Sequence, residues 1–89
     1  MTRDTAELLA IRALGYLAGE PEQLERFLAL TGVSPDDLRS AAGDPSFLSG
    51  VLDFFLGDEA TLLAFAASTH TDPADVAIAR EVLSRHADT

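Results

Sequence analysis

Asp44-Pro45-Ser46-Phe47-Leu48-Ser49-Gly50-Val51-Leu52-Asp53-Phe54-Phe55-Leu56-Gly57-Asp58-Glu59 is the stretch that decides the fold. It reads as a helix from Pro45 to Leu56 with its punctuation attached. Asp44 can accept an unpaired amide hydrogen of the first turn, Pro45 has no amide hydrogen to leave unpaired there, and Gly57 can turn the chain out. Phe47, Leu48, Val51, Leu52, Phe54, Phe55 and Leu56 cover more than half of the helix circumference, leaving Ser46, Ser49 and Asp53 as a narrow polar side. A helix of this kind belongs at the centre of a core. Gly50 inside it weakens a helix by about 1 kcal/mol relative to alanine, so a close helix crossing is the expected reason for its presence.

The same punctuation recurs along the chain. All four prolines follow a residue able to cap a helix, at Glu20-Pro21, Ser34-Pro35, Asp44-Pro45 and Asp72-Pro73, and glycines close the preceding segments. Six helices are expected: about 5–18, 21–31, a short one after Ser34 that ends near Ala42, 45–56, 59–69 and 73–87. Asp4 is read as the first N-cap, with Glu7 completing a capping box, and Ser34 as the third, with Val33 and Leu38 forming a hydrophobic staple. Period-two alternation is absent, so no strand is expected.

Placed at 100° per residue, the first helix has two apolar faces. Leu9, Ala13, Tyr16 and Leu17 form one, whereas Leu8, Ile11 and Gly15 lie opposite. The second helix is an ordinary surface helix with Leu24, Phe27, Leu28 and Thr31 on its inner stripe. Gly57-Asp58 is expected to fold the fourth and fifth helices into an apolar hairpin, with Leu62, Leu63, Phe65 and Ala66 facing inward. In the sixth helix Val76, Ala79, Val82 and Leu83 point in, and Arg80, Glu81, Ser84 and Arg85 point out. The expected fold is all-α, a compact orthogonal bundle of five or six short helices in a single domain over residues 1–89, with helices one, two and six packed around the hairpin.

Fifteen acidic residues oppose six arginines and no lysine, for a formal net charge of −9. Phosphate backbones and anionic membrane surfaces require clustered cations, so no nucleic acid and no membrane is expected as partner. Without cysteine there is no disulfide and no thiolate chemistry. The N-terminal residues carry Asp4 and Glu7 where a secretory signal needs an apolar run, so a cytoplasmic location is expected. The apolar stretches Val51 to Leu56 and Ala60 to Ala67 fall well short of the roughly 20 residues of a bilayer span.

Chemistry-bearing constellations are weak. His70 and His86, with Asp72 and Asp75 between them, lack the close pairing of zinc ligands. His70 is read instead as a residue at a helix C-terminus, where a cation suits the dipole, and His86 as a terminal packing or capping residue. Asp36, Asp37, Asp44, Asp58, Glu59, Asp72 and Asp75 sit at helix starts, where capping accounts for them. Asp53 is read as solvated rather than paired with Arg12 or Arg39. Ser49-Gly50 lacks the flanking glycines of a nucleophile elbow and lies inside a helix. A bundle this small seldom encloses a solvent-excluded pocket, so no catalytic residue, metal or cofactor is expected and the protein is read as non-enzymatic.

The segments Pro21-Glu22-Gln23-Leu24-Glu25-Arg26-Phe27-Leu28-Ala29-Leu30-Thr31-Gly32-Val33-Ser34-Pro35-Asp36-Asp37-Leu38-Arg39 and Gly43-Asp44-Pro45 through Gly57-Asp58-Glu59 resemble a bacterial family of unknown function. Its members are short, acidic, all-helical proteins found mainly in alphaproteobacteria. The likeness runs from roughly Leu8 to Leu83. It implies a stand-alone cytoplasmic helical protein and brings no activity, cofactor or catalytic residue with it.

Hydrophobic residues make up 47% of the chain and the mean hydropathy is +0.14, which is high for so small an acidic protein. Two helices carry more apolar surface than a single small core readily covers. A protein-interaction or regulatory module is therefore expected, engaging a protein partner or a second copy as a homodimer, with Leu8, Ile11 and Phe54 as interface candidates. The plain alternative is that both helices are interior. Two rivals stand beside it: a small apolar-ligand carrier in which Phe47, Phe54, Phe55 and Phe65 line a cavity, and an acidic DNA mimic that binds a basic protein.

Overall fold

Proline and side-chain caps set the starts of the second, fourth, fifth and sixth helices where the sequence places them. The computed structural model describes residues 1–87, with side chains through Arg85, so the reading of the His86 side chain lies outside the described residues. Its helices are α1 (Arg3–Ala18), α2 (Pro21–Thr31), α3 (Leu38–Ala41, preceded by a 3-10 turn at Pro35–Asp37), α4 (Pro45–Leu56), α5 (Glu59–Thr69) and α6 (Pro73–Ala87). Asp44, Asp58 and Asp72 each accept a first-turn amide hydrogen, from Ser46, Thr61 and Ala74 at 2.9, 3.3 and 2.9 Å.

Two caps differ from expectation. Thr2, not Asp4, caps α1: its Oγ1 accepts the Thr5 amide at 3.2 Å, which starts the helix earlier. The Ser34 hydroxyl donates to the Asp37 carboxylate at 2.9 Å rather than accepting a backbone amide, and the chain enters α3 through the tighter 3-10 turn. Among the helix-ending glycines Gly32 alone is left-handed, with φ 74°, while α5 closes on His70 at φ 54°, a position glycine fills more comfortably.

The core is built from α1, α4 and α6. Helix α4 shares its most extensive interface with α6, and α1 packs on both. This corrects the expected hairpin: α5 follows α4 through the Gly57-Asp58 turn, yet covers less of it than α6 does. The reason lies in the narrow polar side of α4. Ser49 is buried and its hydroxyl meets that of Ser84 at 3.0 Å, and Asp53 is bound by Arg80 at 2.7 Å. A hydroxyl that finds a partner can be buried at little cost, so the small serines let α4 and α6 approach closely. The Arg80 guanidinium is accordingly held above its ordinary pKa, first by the hydrogen bond it donates to Asp53 and then by that carboxylate's charge.

Helix α1 contributes small residues to this seam. Ala6, Ala10 and Ala13 have no exposed surface, as do Ala79 of α6 and Val51, Leu52 and Phe55 of α4. Peripheral helices attach through rings: Phe27 of α2 packs edge-on against Phe47 and Phe54 at 5.7 and 5.5 Å, and Phe65 of α5 meets Phe55 at 5.0 Å. Leu63 of α5, expected inside, is 49% exposed because the buried stripe of α5 is Thr61, Phe65 and Ala66.

Gly50 has no packing reason: a Cβ built on it meets nothing within 4 Å. The close crossing runs through Ser49 instead. Gly50→Ala should therefore raise stability by about 1 kcal/mol, the helix-propensity difference, in urea unfolding followed by circular dichroism. An unchanged or lower stability would contradict the open space at this position.

Candidate apolar docking surface on helix α1

Helix α1 is covered on one face only. The molecule measures 30 × 27 × 18 Å, and its short dimension is about two helix layers deep. A helix in one layer then buries the side that meets the other layer and shows the opposite side to solvent. Leu9, Ala13 and Leu17 are buried, whereas Leu8 is 62% and Ile11 46% exposed. The two lie three residues apart on one face, followed by the exposed Gly15 and Ala18.

This face continues into an apolar groove of about 490 Å³, lined by Ile11, Leu14, Gly15 and Ala18 of α1 and by Leu38, Arg39 and Ala42 across it. Helix α3 and its C-cap residue Ala42 form its second wall. Arg39 supplies the one charged side chain of the lining. A smaller cleft of about 170 Å³ lies between Tyr16, Glu20, Gln23, Ala60, Thr61 and Ala64, below the range of small-molecule sites.

The third interface candidate stands apart. Phe54 is half-buried, its ring edge-on to Phe27 at 5.5 Å and to Phe55 at 6.0 Å, with the Arg26 guanidinium 5.5 Å over its face. Arg26 also reaches Asp58 at 3.4 Å. Hydrogen bonds from the Thr61 backbone and side chain, with a contribution from Arg26, hold the Asp58 carboxyl below its ordinary pKa. The ring is thus occupied in docking α2 and lines neither the α1 face nor the groove.

Rings that a ligand carrier would need around a cavity are in contact with each other instead. Phe27 bridges Phe47 and Phe54, Phe55 bridges Phe54 and Phe65, and Tyr16 closes on Phe65 at 5.7 Å. Of the acidic residues, Asp44, Asp58 and Asp72 are engaged as caps and Asp53 in the α4–α6 ion pair. His70 ends α5 with its backbone amide donating to the Ala66 carbonyl. Among the described residues no three His, Cys, Asp or Glu side chains converge as a metal site would require.

A family model described as a protein of unknown function, DUF3572, matches residues 3–86. The chain belongs to the DUF3572 family. The match spans nearly all of it, from the first turn of α1 to the last of α6, and extends the Leu8 to Leu83 likeness at both ends. No curated protein and no solved structure matches the chain. Membership in DUF3572 therefore brings the whole bundle under one family without attaching an activity to the α1 face. No helix among the described residues is long and apolar enough to cross a membrane.

Proposed function

We propose that this DUF3572 protein is a non-catalytic docking module of the cytoplasm that engages a protein through the outward face of α1 and the adjoining groove. One observation carries the reading: Leu8 and Ile11 are 62% and 46% exposed beside an apolar groove of about 490 Å³. Large apolar side chains scattered singly over a surface are ordinary, whereas a contiguous apolar patch with a groove marks an interaction site. The groove is open along its length and would leave much of a small molecule in water, which favours a helix or loop of a protein over a carried ligand.

The test is a doubled charge substitution, Leu8→Asp with Ile11→Asp. Both side chains are exposed, so the protomer should keep its helical circular dichroism spectrum. Proximity labelling in cells that make the protein should then lose every specific association seen with the wild-type chain, self-association included. A variant that stays folded and keeps the wild-type set of associations would remove the reading.

A further inference from the structure

We propose that residues 34–42, the strap that joins α2 to α4 and carries the second wall of the groove, form a lid that lifts from the α1 groove and unwinds as one unit, with Leu38 as its latch. The proposal takes the use of the groove from the docking reading and the motion of the strap from the way the strap is attached.

The strap is held to the body of the molecule at one point. No residue of the 3-10 turn or of α3 is buried. Of its hydrophobic side chains Leu38 alone packs against the core cluster, and it is half-buried. Its turn and cap hydrogen bonds close within the strap or onto the two residues that follow it: the Asp37 amide donates to the Ser34 carbonyl, Ala42 to Leu38, Gly43 to Ser40 and Asp44 to Ala41. The bond from the Ser34 hydroxyl to the Asp37 carboxylate is internal as well. Among the described residues no ion pair reaches the strap, although it carries Asp36, Asp37 and Arg39.

What lies beneath it gives little support. Helix α3 is four residues long and has no extensive interface with any of the long helices. Toward α1 it meets an apolar groove of about 490 Å³ in place of packed side chains. A single helical turn does not stand alone, because its first hydrogen bond fixes several backbone dihedrals at once. A segment with few buried apolar contacts and solvent-exposed backbone hydrogen bonds opens at a fraction of the free energy of global unfolding. Gly32, at φ 74°, and Gly43 bracket the strap and absorb the change of direction when the Leu38 contact breaks.

Lifting the strap takes Leu38, Arg39 and Ala42 away from Ile11, Leu14, Gly15 and Ala18, so that one wall of the groove remains. An occupant that touches both walls binds the closed form only, and so holds the lid down.

Native-state hydrogen exchange of the full chain tests the lid. The amides of Asp37, Ala42, Gly43 and Asp44 should exchange through one shared opening, about a hundredfold less protected than those of Leu52 in α4 and Val82 in α6. Leu38→Ala should lower the protection of all four by about tenfold, through the loss of half-buried leucine contacts. Val76→Ala, at a fully buried position of α6, should lower the protection of Leu52 and Val82 by about tenfold or more and leave the four strap amides unchanged. Strap amides that fall in step with the core in Val76→Ala would make the strap part of one cooperative unit and overturn the proposal. Strap amides indifferent to Leu38→Ala would be fraying singly, without a latch, and overturn it equally. Both measurements use the chain alone, so the docking reading is judged separately by the cellular associations of the doubled Asp variant.

Discussion

Phe55→Ala is expected to cost about 3–5 kcal/mol, the range for truncating a buried phenylalanine, and to leave little folded protein at 37 °C. The ring has no exposed surface. It stands where the three-helix core meets the peripheral helices, touching Phe54 at 6.0 Å, Phe65 of α5 at 5.0 Å and Tyr16 of α1 at 6.2 Å. Removing it opens a void that α5 cannot collapse into, because Phe65 is itself held by Tyr16 at 5.7 Å. Thermal unfolding by circular dichroism gives the check. A fall in midpoint no larger than that of a surface substitution would mean that Phe55 is not the junction of the core.

Ala10→Leu should cost about 1–3 kcal/mol by the opposite mechanism, overpacking. Leucine is the better choice by binary pattern and is nearly as good a helix former as alanine, so pattern alone anticipates a neutral or favourable change. Ala10 is fully buried with Ala6 and Ala13 on the side of α1 that meets α4 and α6. A side chain of leucine's length must push α1 off that seam, where Val51 and Ala79 are also without exposed surface. Urea unfolding of Ala10→Leu beside Leu8→Ala, an exposed position on the same helix, separates the effects. Near-equal stabilities would show that the α1 seam is loosely packed.

Most helix starts were legible because they are set locally, by a proline at the first position of α2, α4 and α6 and by the Asp44, Asp58 and Asp72 caps, whereas the α1 start moved to the Thr2 cap. The inner stripes of α1 and α6 were legible as well, since Leu9, Ala13, Leu17, Val76, Ala79, Val82 and Leu83 follow the helical period and all are buried. Pairing of helices was not legible. Polarity put Ser49, Asp53, Arg80 and Ser84 outward, but each finds a partner 27 or 35 residues away in sequence, and no local pattern encodes that distance. Gly50 pointed to the right helix for a close crossing and to the wrong residue, because it is the adjacent Ser49 whose hydroxyl is matched across the seam. At the surface, the wheel placed Leu8 and Ile11 on an outer face. It could not show the groove beside them, whose far wall comes from Leu38, Arg39 and Ala42 beyond an intervening helix. The neighbours of Phe54, the third interface candidate, were hidden for the same reason: Phe27 and Arg26 of α2 reach it only in the folded molecule.

Absence of cysteine makes a direct measurement of the α1 face possible, because a single introduced thiol is the only one present. Ile11→Cys should react rapidly with a maleimide, at a rate close to that of a thiol on open surface. Leu30→Cys, at a position 74% exposed on α2, gives the rate of an open surface site for comparison. An Ile11→Cys thiol that is slow even when dilute would place that side chain inside the protomer.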